Sequence, residues 1–255
     1  MTIAKDLIHT LAAMMLYIAA PAIACAQAQP PPEPAQADSQ GPDYHAKLTF
    51  AGYRAGGAFS GDVNLRYTVG ELTGWAGYFA TEEGFPIRQG RVGIEYDWKT
   101  PWLFLVPSAQ KASDGFYGGS IYSEIGPTVY AIAGVSRTNL GPYANLTFDP
   151  NDSWQLGAGV HFGAGDTAAI YTVWDNRLNT GQQITHAVVK HHWQAYRITV
   201  DMSYKSGHGD DNVYLRGGAV AIEYDWKRWF VKGAVDQHVN FSEPTMTRLG
   251  GGVRF

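Results

Sequence analysis

The last nine residues, Thr247-Arg248-Leu249-Gly250-Gly251-Gly252-Val253-Arg254-Phe255, alternate two kinds of side chain. Successive side chains of a strand point to opposite faces. Leu249, Val253 and Phe255 therefore share one face, and Arg248, Gly250, Gly252 and Arg254 share the other. The same period of two recurs upstream. In 61–69, Val63, Leu65, Tyr67 and Val69 alternate with Asn64, Arg66 and Thr68. In 91–98, Val92, Ile94, Tyr96 and Trp98 alternate with Arg91, Gly93, Glu95 and Asp97. In 154–162, Trp154, Leu156, Ala158, Val160 and Phe162 oppose Gln155, Gly157, Gly159 and His161. In 196–205, Tyr196, Ile198, Val200, Met202 and Tyr204 oppose Arg197, Thr199, Asp201, Ser203 and Lys205. A soluble sandwich also alternates, with its polar side turned to bulk water. Here the polar side holds many glycines and both signs of charge, which suits a crowded interior.

The N-terminus has the form of an export signal: Lys5, an apolar stretch from Leu11 to Ile23 broken by Pro21, then Ala22, Ala24 and Ala26. Cleavage after Ala26 fits the small-x-small pattern, so residues 1–26 are expected to be removed. The competing possibility is lipidation of Cys25, although Ala22 stands where a lipobox has a large aliphatic residue. Cys25 is the single cysteine of the chain, so no intramolecular disulfide can form. Residues 27–43, with Pro30, Pro31, Pro32 and Pro34, carry too little apolar surface to fold and are expected to form an extended linker. Residues 44–255 form one domain-sized unit. The formal net charge of −4 offers no basic excess for nucleic acid, and none is expected as a partner.

No apolar run in this unit approaches the roughly 18 residues of a membrane helix, so any membrane span must be built from strands. Trp and Tyr gather near strand ends: Tyr96, Trp98 and Trp102; Tyr224, Trp226 and Trp229; Tyr171 and Trp174. Such placement suits aromatic girdles at the two membrane–water boundaries. With the export signal, the alternating strands and the terminal aromatic, the chain resembles bacterial outer-membrane β-barrels in architecture. The resemblance implies an all-β, closed antiparallel transmembrane barrel in the outer membrane of a Gram-negative bacterium. It makes Leu249, Val253 and Phe255 the assembly signal read by the barrel-insertion machinery, and makes outer-membrane lipid a partner.

Glu-Tyr-Asp-Trp-Lys occurs at 95–99 and again at 223–227, each copy followed by a further aromatic strand start, Trp102 or Trp229. Both copies are expected to be tight hairpins on the periplasmic side, a repeated structural solution rather than a ligand motif. Counting back from Phe255 puts the Lys227-Arg228 turn in the periplasm and 206–217 in an external loop. Strand starts near 45, 61, 73, 90, 102, 117, 128, 141, 153, 167, 184, 194, 218, 229 and 246 are one too many for an even-stranded barrel. Bends at Gly126-Pro127 and at Lys190-His191-His192-Trp193 are the expected false junctions, which points to about 12 to 14 strands.

Function must come from the interior. Alternation nominates Arg66, Arg91, Arg197, Arg248 and Arg254 against Glu95, Asp97, Asp201, Glu223 and Asp225 as lumen lining. A balanced set implies either a polar channel for small solutes or ions, or an ion-paired, occluded lumen with a structural or surface-interaction role. A third class is an outer-membrane lipid hydrolase, for which Ser206, His208 and Asp210 have suitable chemistry. The chain lacks the His-x-Ser-Asn-Gly type of motif of outer-membrane phospholipase A, however, and no enzyme activity is expected. No metal site is expected of His186, His191 and His192, since adjacent strand residues face opposite ways. Gly115 to Gly119 and Gly163-Ala164-Gly165 lack the context of a nucleotide site and are expected to be loops or bends. No cofactor is implied, and the barrel is expected as a monomer or small homo-oligomer.

Overall fold

The computed structural model describes residues 44–81, 86–144, 152–163, 165–175, 177, 179–209 and 211–255. The expected signal segment, 1–26, and the expected linker, 27–43, lie outside the described residues. Among the described residues fifteen strands run in chain order: β1 (Ala46–Ala55), β2 (Ala58–Val69), β3 (Leu72–Thr81), β4 (Arg88–Tyr96), β5 (Trp98–Lys99), β6 (Leu103–Ala112), β7 (Tyr117–Ile125), β8 (Val129–Thr138), β9 (Ser153–Phe162), β10 (Asp166–Asp175), β11 (Gln183–Trp193), β12 (Tyr196–His208), β13 (Tyr214–Trp226), β14 (Trp229–Asp236) and β15 (Met246–Arg254). Neighbours along the chain pair antiparallel, and β1 pairs with β15 from Lys47↔Arg254 to Ala55↔Met246. With β4 paired to β6, the sheet is a closed ring. No helix among the described residues is long and apolar enough to cross a membrane.

The ring has fourteen staves, because β4 and β5 are one strand interrupted opposite a proline. Glu95↔Ser108 and Trp98↔Leu105 share one register against β6, and Pro107 falls opposite Tyr96 between them. The Thr100 N–H donates to the Leu103 carbonyl at 2.8 Å, and bonding pairs recur every second residue along an antiparallel ladder. Tyr96–Pro107 is therefore a bonding position at which proline has no N–H to give.

Both chain ends of the barrel lie at the end with short turns, where Ala46 and Phe255 exchange backbone hydrogen bonds of 2.8 and 2.9 Å. Two-residue turns at this end take left-handed backbone at Gly70, Gln194 and Lys227, as the tight hairpin twist requires. The opposite, loop end carries the longer connections 82–87, 139–152 and 237–245.

Side chains on the outer face are apolar and open, with Phe50, Leu65, Ile94, Ile121, Leu156, Ile170, Ile222 and Leu249 all exposed. A belt of this kind around a whole barrel is stable against hydrocarbon and not against water. Tyr96, Trp98, Trp102, Tyr224, Trp226 and Trp229 are exposed near the short turns. Tyr171 departs from the girdle assignment: it has inward parity, is buried, and stacks on His186 at 4.7 Å. Leu249 and Phe255 are exposed and Val253 half-buried on the outer face.

The surplus strand start is the one near 141. Gly141 to Ala144 is not a strand, and Tyr143 and Ala144 are buried. Gly126-Pro127 is a true turn between β7 and β8, and 190–193 is the end of β11. A proline after an αL-capable glycine turns the chain, whereas the polar run 190–193 continues a regular ladder against β12. The external loop assigned to 206–217 shrinks to 209–213, because β12 and β13 extend their pairing to His208↔Tyr214.

Candidate functional site: the barrel lumen

Strand parity sends all ten nominated charges to the inner face, and register decides which of them meet. Near the short turns, β12, β13 and β15 bring two arginines onto two carboxylates. Arg197 Nε donates to Asp225 Oδ2 at 2.9 Å, with Glu223 at 3.8 Å. Arg254 lies 2.5 Å from Asp225 and 3.6 Å from Glu223. Its guanidinium and Lys47 Nζ stand 4.7 and 4.6 Å from the Phe230 ring centroid. Glu223 and Asp225 come from one copy of the repeated pentapeptide. In the other copy Glu95 pairs with Arg66, and Asp97 lies 3.3 Å from Lys99. Both copies present Glu and Asp inward and Tyr and Trp outward just before a short turn.

Higher in the barrel Arg91 donates to Asp62 at 2.6 Å. Asp201 faces His186 Nδ1 at 2.9 and 3.1 Å. Arg248 hydrogen-bonds the Tyr53 hydroxyl and lies in the field of Asp236, which itself pairs with Lys205. Lys205 and Asp236 are wholly buried. A charge withdrawn this far from water persists only with a partner, and the register of β12, β13 and β14 supplies one.

The inner wall divides in two. From β11 through β15 to β4 it is mainly ionic, whereas β6 to β10 contribute Phe104, Val106, Tyr122, Tyr130, Ile132, Tyr171 and Val173, packed as one cluster. Tyr122 donates to Glu124 at 2.8 Å, and Tyr130 stacks on His161 at 4.5 Å. Glycines opposite these rings give them room: a Cβ at Gly159 would stand 2.3 Å from Tyr130 Cζ. At the turn end, beneath this cluster, Lys99, Trp102, Phe104, Glu124 and His161 help line a cavity of about 230 Å³.

Two loop-end segments fold inward and narrow the lumen. Gln89 clasps the first, donating to the Pro142 carbonyl at 3.0 Å and accepting from the Ala144 N–H at 2.9 Å. Tyr143 stacks on Phe116 at 4.2 Å. The second is the turn Val239–Phe241, where Val239 joins Tyr53, Phe79, Ala144 and Met246 in an apolar cluster. A cavity of about 500 Å³ beside the first segment is lined by Ile87, Arg88, Gln89, Asp114 and Tyr143, among others.

Ser206 accepts from Gln183 Nε2 at 3.1 Å, His208 Nδ1 faces the Thr180 carbonyl at 3.1 Å, and Asp210 lies outside the described residues. Each of the two described side chains is thus engaged elsewhere. His186 turns inward to Asp201. His191 Nδ1 meets Asp166 Oδ2 at 2.7 Å on the outer side, and the same carboxylate accepts the His192 N–H at 2.7 Å. Gly115 sits in a short 3-10 turn with positive φ, Gly118 and Gly119 lie in β7, and Gly163 and Gly165 form the β9–β10 turn. Asp62, Glu124 and Asp236 are inward charges not named in the alternating segments above, although each shares the inward parity of its strand, and Lys205 stood on the polar face of 196–205 without being nominated as lumen lining. No period marks Tyr143, which lies in a loop.

No protein-family model matches the chain, and no curated protein matches it in sequence. Among solved structures it is similar to the outer membrane protein Omp33 of Acinetobacter baumannii, with a TM-score of 0.59 at 13% identity over 85% of this chain and 100% of that one. The KdgM porin (TM-score 0.48, 11% identity, 82% of this chain and 99% of that one) and the NanC porin (0.47, 10%, 82% and 100%) match more loosely. The fold is that of the bacterial outer-membrane β-barrels.

Proposed function

We propose that this protein is a narrow outer-membrane channel for small polar solutes or ions, and not an enzyme. The observation that carries this reading is the chemistry of the inner wall: a closed barrel with an apolar exterior lines much of its interior with opposed charges. An apolar filling would be the stable choice for a barrel that only had to stand in the membrane, since replacing buried ion pairs by packed hydrophobic groups is often neutral or stabilising. Arg66, Arg91, Arg197 and Arg254 facing Glu95, Asp97, Glu223 and Asp225 form a wall along which a partly dehydrated solute exchanges water for charged groups.

The second reading, an occluded barrel, is favoured by the complete burial of Lys205 and Asp236 and by the two inward loop segments. A planar-bilayer measurement separates the two. Wild type, Arg91→Glu and Glu95→Lys are compared by reversal potential across a salt gradient. Opposite shifts in cation-over-anion preference for the two variants support the channel. Absence of conductance in all three supports the occluded barrel. Recovery of the mature chain in the soluble periplasm rather than in alkaline-resistant outer membranes would overturn both.

A further inference from the structure

The outer wall is not uniform at its loop end. Lys111 on β6 and Arg137 on β8 have the outward parity of their strands, are exposed, and flank Tyr117 of β7, itself 62% exposed. Lys111 pairs with Tyr117, and Arg137 with Gly119. Two strands apart and two residues out of register, the two Cα atoms stand about 12 Å from one another, within reach of a shared headgroup for two long side chains. Arg177 joins them from the next connection. Asp152 lies between the arginines, 3.6 Å from Arg137 and 3.1 Å from Arg177, and is buried and further held by the Thr138 hydroxyl at 2.8 Å. The two arginines thus share one committed carboxylate, and Lys111 stands apart from it, so the outward-facing pair Lys111 and Arg137 leaves positive charge on the membrane side of the wall.

Directly below Tyr117 the outer face is small at the paired Ala109 and Gly119, and Ile121 and Val135 restore bulk one row nearer the membrane midplane. At the opposite end the outward positions are aromatic instead: Trp98, Trp193, Trp226 and Trp229. Uncharged aromatics suit a zwitterionic interface, whereas clustered Lys and Arg above a recess suit a lipid with anionic oxygens above its chains.

We propose that β6, β7 and β8 form a binding site for a phosphorylated glycolipid of the leaflet at the loop end. Lys111, Arg137 and Arg177 engage its phosphates, Tyr117 packs on its sugar backbone, and an acyl chain lies over Ala109 and Gly119. The proposal rests on the outer-membrane reading of the barrel and is independent of whether the lumen conducts.

The test is native mass spectrometry of the refolded barrel in zwitterionic detergent. The probes are a hexa-acylated glucosamine disaccharide with two phosphates, the same lipid without phosphate, and inorganic phosphate. Wild type should retain one diphosphorylated lipid about tenfold more tightly than the phosphate-free form. Lys111→Ala/Arg137→Ala should lose that difference, while Arg54→Ala/Arg216→Ala, which removes two exposed loop-end arginines from other strands, should keep it. Equal retention of both lipids by wild type, equal loss in the two double variants, or displacement of the lipid by millimolar inorganic phosphate would overturn the site. The heat-dependent gel mobility of a closed barrel checks that each variant is folded. A chain that binds the lipid and conducts no ions loses the channel, and one that conducts without preferring the phosphorylated lipid loses this site.

Discussion

Arg91 and Asp62, on strands separated by β3, meet at 2.6 Å inside the barrel, with the Arg91 side chain 4% exposed. The contact crosses the strand between them because Gly77 lies there. A Cβ at Gly77 would stand 3.5 Å from the Arg91 guanidinium and 2.9 Å from Asn64 Nδ2. Glycine thus leaves a lane across β3 through which the side chains of β2 and β4 can meet.

Breaking that pair should be worse than removing it. Asp62→Asn leaves a buried guanidinium without its counter-charge and should lower barrel stability by about 3 kcal/mol. Asp62→Asn/Arg91→Met should recover most of the loss. Urea unfolding followed by tryptophan fluorescence in lipid vesicles measures both. A double variant no more stable than the single one would show that the pair is not the source of the loss.

Charge at the turn-end cluster should set ion preference. Asp225→Asn removes the carboxylate shared by Arg197 and Arg254 and leaves two arginines facing Glu223 alone. The reversal potential should move toward anion preference, and Arg254→Gln on the same background should move it back. No change in either variant would place the conducting path away from this wall.

Pro107 should behave as a defect in the ladder. Pro107→Ala supplies an amide opposite Tyr96, at a bonding position, and the new N–H should show slow hydrogen exchange together with a gain of about 1 kcal/mol in stability. Fast exchange at that amide would mean that the gap between β4 and β5 has another cause.

Gly159 should tolerate no larger residue. Its Cβ would fall within 2.3 Å of the Tyr130 ring, so Gly159→Val should destabilise the barrel by about 2 kcal/mol. Tyr130→Ala on that background should relieve the clash while losing the stacking on His161. Thermal unfolding by far-ultraviolet circular dichroism reads both changes.

Phe255 should contribute through its ring as well as its backbone. Deleting it removes the two hydrogen bonds that join it to Ala46, whereas Phe255→Ala keeps them and removes only the aromatic. Membrane yield lowered in both variants, with export intact, would assign the effect to the ring. A yield lowered only by the deletion would assign it to closure of the sheet.

Alternation by itself determined that the chain builds strands, which side chains share a face, and hence which charges turn inward. The period of two is a property of each strand alone, so 196–205 or 247–255 is legible without its neighbours. The pairing of those charges was beyond its reach. Arg66 meets Glu95, and Arg197 meets Asp225, through the stagger between different strands, and stagger is fixed when the ring closes. The same holds for closure itself: β1 finds β15, β4 finds β6 past a proline, and fourteen staves result where local signals suggested an extra one near 141. Tyr143 and Val239 carry no periodic mark, and only the folded barrel brings their loops back over Gln89 and Tyr53. One strand's pattern selects a face, whereas a partner on that face depends on every register around the ring.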